Sequence, residues 1–200
     1  QTSDVAALGT AAVASLTSTQ LNALGSTNLQ ALSTTQAANL TTTQAANLST
    51  TQLNLMQTSD VAALSTTAVA SLTSTQLNAL TSTNLQALTT TQAAKLSTTA
   101  VAGLTSTQLN LMETSDVAAL TSTTQVSNLT STQLNALTST NLQALTTTQV
   151  AGLTTTAVSN LTTTQLNLME TSDVAALTST QMIALTSTQL NGLNTTRVVA

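Results

Sequence analysis

The chain is predicted to be all-α: a solenoid of very short capped helices, one per eight-residue repeat. Three observations lead there. The first is the repeat itself, L-[TS]-[TS]-T-Q-[LVA]-[AN]-[AGN], plain in Leu72-Thr73-Ser74-Thr75-Gln76-Leu77-Asn78-Ala79 and varied throughout the 200 residues. The second is that a period of eight suits no single regular element. Eight residues of continuous α-helix turn through roughly 800°, so an apolar stripe drifts by roughly 80° per repeat and no fixed face survives. In a strand, octad positions 1 and 6 have opposite parity and point to opposite faces. The third is that each octad carries the chemistry of a helix start.

That chemistry sets the register. With Leu72 at N′, Thr73 becomes the N-cap and Gln76 falls at N3, the Thr-x-x-Gln arrangement of a capping box. The Thr hydroxyl accepts from the N3 amide while the Gln side chain reaches back to the N-cap amide. Leu77 then stands at N4, placed to pack on Leu72 as a hydrophobic staple. Asn78 and Ala79 complete the turn, and Leu80 opens the next unit. Helices this short are unstable alone, because nucleation costs more than so few hydrogen bonds return. Each must stack on its neighbours, as in other repeat architectures. Position 1 and position 6 would form the shared core, with alanine at positions 7 and 8 allowing close approach.

Along the chain, position 1 recurs every eight residues from Leu8 to Leu120, with Met56 and Met112 in the row. The next, Leu129, comes nine residues later, with Thr123-Thr124 as the extra step. Regular spacing then resumes to Leu193, which suggests a bulge in a turn between helices. A longer period is superimposed. Met-[QE]-Thr-Ser-Asp-Val-Ala-Ala begins at Met56, Met112 and Met169, spacings of 56 and 57 residues, and its tail opens the chain. Seven octads separate these units, which hold Asp60, Glu113, Asp116, Glu170 and Asp173, with Asp4 in the opening tail. Acids in a first turn suit the positive end of the helix dipole. If seven octads make a whole number of solenoid turns, the acids also align on one side. Gly103, Gly152 and Gly192 sit at position 8, where a left-handed helix end is expected. Gly9 and Gly25 replace the N-cap. The last unit, Leu193-Asn194-Thr195-Thr196-Arg197, keeps a good cap and loses the capping Gln.

Composition narrows the function. The chain is 41% hydrophobic and only 4% charged, with no aromatic residue, Pro, Cys or His. That hydrophobic content argues against disorder, and the lack of aromatics implies a thin aliphatic core. Net charge is -4 and only Lys95 and Arg197 are cationic, so no nucleic-acid partner is expected. Without Cys there are no disulfides or thiolate metal sites. No apolar run approaches a membrane span and no signal peptide is legible. The sequence starts at octad position 2 (Gln1) and stops at position 8 (Ala200) without polar capping repeats. It reads as one continuous array over 1–200 with a 56-residue higher-order repeat, cut from a longer chain.

Chemistry is sparse. A Ser or Thr nucleophile needs an adjacent base, and with no His no active site is assigned, so an enzyme is not expected. Glu113 with Asp116, and Glu170 with Asp173, are spaced to share a calcium ion, but calcium wants about six to eight oxygens and no others converge. Asn39-Leu40-Thr41, Asn47-Leu48-Ser49, Asn128-Leu129-Thr130, Asn160-Leu161-Thr162 and Asn194-Thr195-Thr196 match N-glycosylation acceptors, which arise by chance in such a composition. Thr-Ser-Thr rows also occur on ice-binding β-solenoids, but here the threonines cap helices and the strand pattern fails. No catalytic, cofactor-binding or metal residue is assigned, and no cofactor or small-molecule substrate is expected.

The repeat Leu145-Thr146-Thr147-Thr148-Gln149-Val150-Ala151-Gly152-Leu153 resembles the Leu/Thr-rich arrays of very long bacterial surface or secreted proteins, adhesin-like chains among them. The resemblance covers the whole sequence and implies an extracellular or cell-surface structural role. The leading expectation is a fibre or filament built by self-association, since an uncharged Thr/Asn/Gln-rich surface favours packing of like on like. The alternative is a stalk or spacer presenting a binding domain located elsewhere in a longer chain.

Overall fold

A computed structural model describes residues 2–121 and 124–193. Among these residues, 23 α-helices of four to six residues and one 3-10 helix follow one another, one per octad, and no strand occurs. The fold is the all-helical solenoid that the repeat predicts.

The octad at Thr73 shows why such short helices form. Thr73 is extended (φ -85°, ψ 159°), and its hydroxyl accepts from the Gln76 N–H while the Gln76 side chain accepts from the Thr73 N–H. The helix Ser74–Ala79 follows. It ends because Leu80 returns to extended backbone (φ -62°, ψ 138°), its N–H still held by the Leu77 carbonyl at 3.2 Å. The cap register is therefore the one read from sequence, and the same two-sided box recurs at Ser33 and Thr41 and, further on, at Thr130 and Thr146.

The chain divides into two compact units, Gln1–Ala100 and Val101–Ala200. In the first, helix Thr34–Ala38 packs on Thr58–Ala63 and Thr42–Asn47 packs on Thr66–Ala70, three octads further on. In the second, Ser139–Gln143 packs on Thr163–Leu168 and Thr147–Ala151 on Thr171–Ala175, the same step. Side-chain hydrogen bonds complete the geometry. Asn22 is bonded to residues 25 and 27 positions ahead, and Gln36 to residues 28 to 31 positions behind. A turn thus takes about 28 residues, or three and a half octads, and each helix lies across the junction of two helices in the adjacent turn. Seven octads make two whole turns, so the 56-residue period is commensurate with the solenoid, as its spacing suggested.

Positions 1 and 6 form the core. Leu72 and Leu77 in the first unit and Leu129 and Leu134 in the second are at most 4% exposed. Burying such side chains contributes roughly 1.5–3 kcal/mol each, the main term that holds helices too short to persist alone. Close approach falls elsewhere than expected. Ala79 at position 8 is exposed, whereas Ala37, Ala45 and Ala93 at position 6 are fully buried.

One further expectation changes. Among the described residues no glycine has a positive φ, and Gly152 is right-handed (φ -81°, ψ -9°). No left-handed cap is needed, because the extended position-1 residue already redirects the chain. Gly192 instead permits a close approach: a Cβ there would lie 2.7 Å from Thr163 Cγ2. The inserted residue falls where the sequence puts it, in the connection between the helix Thr114–Ala119 and the next element, which begins at Val126. Thr123 lies outside the described residues, but the Thr121 carbonyl accepts from both Gln125 and Val126 N–H groups, and Gln125 rather than the residue before it caps the Thr121 N–H. The loop between cap and capping glutamine has been widened by one residue, and the element that follows is the 3-10 helix Val126–Asn128. Arg197 and the rest of the last unit beyond Leu193 lie outside the described residues.

Candidate functional site

The residues with polar chemistry are gathered at the seams between successive turns. Position 5 is the clearest. Gln44 is 3% exposed. Its Oε1 accepts from the Thr41 N–H at 2.9 Å, the bond read from sequence. Its Nε2 donates to the carbonyls of Val13 (2.9 Å), Ala14 (3.3 Å) and Leu16 (2.7 Å), one turn earlier. Gln149 in the second unit does the same with Thr146 and with Val117, Ala118 and Leu120. A helix leaves its last carbonyls unbonded, and in a five-residue helix that is most of them. The glutamine side chain therefore closes the start of its own helix with one end and the finish of another with the other. The capping box predicted the first bond. Nothing in a single octad predicts the second.

Asparagine at position 7 forms a second clasp, running the opposite way. Asn22 Nδ2 donates to the Asn47 carbonyl at 2.7 Å, and the Ser49 N–H donates to Asn22 Oδ1 at 2.8 Å. One amide thereby holds both sides of the junction around Leu48. Asn54 with Ala79 and Thr81, and Asn135 with Asn160 and Thr162, repeat it. Where this clasp takes the N-cap amide, the local glutamine is displaced: Gln52 Oε1 is buried without a hydrogen-bond partner.

The aspartates occupy the same buried seam. Asp60, Asp116 and Asp173 stand at N3, where other octads have Gln, and each is 2% exposed. The first-turn dipole reading does not account for that burial. Burial pushes the Asp60 carboxyl above the ordinary 3.8, opposed by a hydrogen bond from the Gln57 backbone N–H. Burial, and then the neighbouring Glu113 charge, push Asp116 up to about 6. Glu113 and Glu170 are N-cap residues, exposed and without a capping side-chain bond, so each Glu–Asp pair is split between solvent and core. Among the described residues no group of three or more acidic, His or Cys side chains converges. The glycosylation-type asparagines Asn39, Asn47, Asn128 and Asn160 are all exposed at position 8, each donating Nδ2 to the carbonyl four residues back at 2.7–2.8 Å. Asn194 lies outside the described residues. No described helix is long and apolar enough to cross a membrane.

A family model for the ALTTAQ repeat matches residues 1–34, 53–90 and 112–147. The chain belongs to the ALTTAQ repeat family. The letters of that description can be read, with Thr at the fifth, in Ala144-Leu145-Thr146-Thr147-Thr148-Gln149, of which residues 144–147 fall within the match and Gln149 is a seam glutamine. No curated protein matches the chain. In this ALTTAQ array the conspicuous Thr and Gln are thus used in closing helices and joining turns.

Proposed function

We propose that this repeat protein is structural, and that it forms or extends an extracellular fibre by self-association. The observation that carries the reading is the fate of its polar groups. The seam amides and N3 carboxyls are turned inward onto backbone, which leaves a surface of Thr, Ser, Ala and Asn in a chain only 4% charged. Such a surface offers hydrogen bonds with little charge repulsion between copies. The likeness to long bacterial surface arrays supports the extracellular setting.

Electron microscopy of the purified chain, with far-UV circular dichroism on the same sample, tests this. Ordered filaments with a helical spectrum are expected. Dispersed single particles with that spectrum would move the reading to the stalk or spacer, and protease treatment of intact producing cells would decide whether the chain is outside them.

A further inference from the structure

We propose that Asp60 enters the fold as the neutral carboxylic acid and donates its Oδ2 proton across the seam to the Leu29 and Leu32 carbonyls, so that this clasp is tighter in acid than at neutrality. The geometry comes from an isostere. Asn84 occupies the same N3 position three octads on, and its Nδ2 donates to Leu53 O at 2.9 Å and Met56 O at 3.3 Å, 31 and 28 residues earlier. Asn141 in the second unit makes the same pair of bonds to Leu109 and Met112, at 2.9 and 3.4 Å. Asn and Asp side chains have one length and one shape. The same offsets from Asp60 lead to Leu29 and Leu32.

The counterpart of that Nδ2 in Asp60 is an oxygen, and Oδ2 is buried and without a hydrogen-bond partner. The carbonyl of Gln30, between the two acceptors, is already served by Gln57 Nε2 at 2.7 Å. Seated as the Asn84 amide is, an ionised Oδ2 would face the two carbonyl oxygens, oxygen against oxygen. A proton removes the conflict and supplies the donor that Asn or Gln provides elsewhere. A calcium ion wants about six to eight oxygens, and among the described residues no group of three or more acidic, His or Cys side chains converges to supply them. Among the described residues no cation acts on Asp60: Lys95 is exposed, beyond the helix Thr90–Ala93 whose Gln92 bonds to Val61, Ala62 and Leu64, and only burial and the Gln57 backbone move the carboxyl. The packed helices Thr34–Ala38 and Ser82–Gln86, the offset partner Ser26–Leu29 and the flanking Thr50–Leu55 and Thr66–Ala70 contain no ionisable residue.

The raised Asp60 carboxyl agrees with this. A folded-state value above the unfolded one contributes stability that is fully present below the unfolded 3.8 and is lost as pH rises through the folded value. Asp116, up at about 6, adds to the same window.

The test is a carbon-13 carboxyl titration of the 200-residue chain, with urea unfolding of wild type and Asp60→Asn at about pH 4.5 and about pH 7.5. Asp60 should titrate above 3.8. The wild-type midpoint should fall at the higher pH, and Asp60→Asn should fall less and exceed wild type there. Titration at or below 3.8, or an Asn variant weaker than wild type at the higher pH, overturns the proposal. So does calcium or potassium chloride raising the wild-type midpoint but not the variant's, since an ion rather than a proton would then join the oxygens.

Discussion

Gln76 does two things that no other side chain of its octad can do together. Its Oε1 accepts from the Thr73 N–H at 2.8 Å, and its Nε2 donates to Ala45 O and Leu48 O at 2.9 and 2.8 Å. Glutamate satisfies the first role as well as glutamine does in isolated capping boxes, but has no donor for the second. Gln76→Glu should therefore lower unfolding stability at neutral pH by about 3 kcal/mol, the cost of stranded buried carbonyls facing a charge. Gln76→Asn should cost about 1 kcal/mol, because Asn84 shows that the shorter amide still reaches both acceptors, whereas the N-cap N–H of that octad, Thr81, is served by Asn54 and Thr73 has only Ala46 in the corresponding place. Urea unfolding of the two variants separates these values, and equal losses would mean that the cross-turn bonds contribute little. Only half of this site was legible in the sequence. Thr-x-x-Gln announces the bond to Thr73 because both partners lie within one octad. The bonds to Ala45 and Leu48 depend on which residues the solenoid brings alongside, which no single repeat encodes.

At the scale of one helix, capping explains both the ordinary octads and the exceptions. Thr73→Ala removes the acceptor for the Gln76 N–H, and a loss of about 1 kcal/mol is expected. Gly25 offers the converse. Its backbone is already extended (φ -65°, ψ 159°), it has no capping side chain, and a Cβ added there meets nothing within 4 Å. Gly25→Ser should raise stability by about 0.5–1 kcal/mol, through the restored cap and a less flexible unfolded chain. A thermal melt that stays unchanged or drops would show that the cap does not limit this helix. Element type and register were readable here because cap, N3 and staple positions agree within a few residues. The glycines at position 8 misled, since a left-handed end is their common use and here the extended leucine makes it unnecessary. The insertion was legible as a step in the turn between helices, but not its effect on the cap, where Gln125, four residues on rather than three, serves the Thr121 N–H.

At the scale of the whole array, the pairing rule is three octads by packing and three to four by clasp, and it concerns positions rather than particular residues. Deleting residues 73–80 should leave every helix downstream with partners of the same kind, so the helical spectrum should persist with Tm lowered by only a few degrees. Deleting residues 73–76 removes half an octad, sets cores against caps, and should abolish cooperative melting of the unit. Equal tolerance of both deletions would exclude a fixed octad register. The turn of about 28 residues was the least accessible feature in sequence, yet a trace of it was present, because the 56-residue spacing of the aspartate octads is two such turns. Both clasps end on backbone atoms: Gln44 on the carbonyls of Val13, Ala14 and Leu16, and Asn22 on the main chain either side of Leu48. A peptide group is the same whichever side chain it bears. An octad therefore does not need to know its neighbour, and a gene for such an array can lengthen or shorten by unequal recombination in whole repeats. Each product would inherit closed seams without compensating mutation, so selection on length is decoupled from selection on folding.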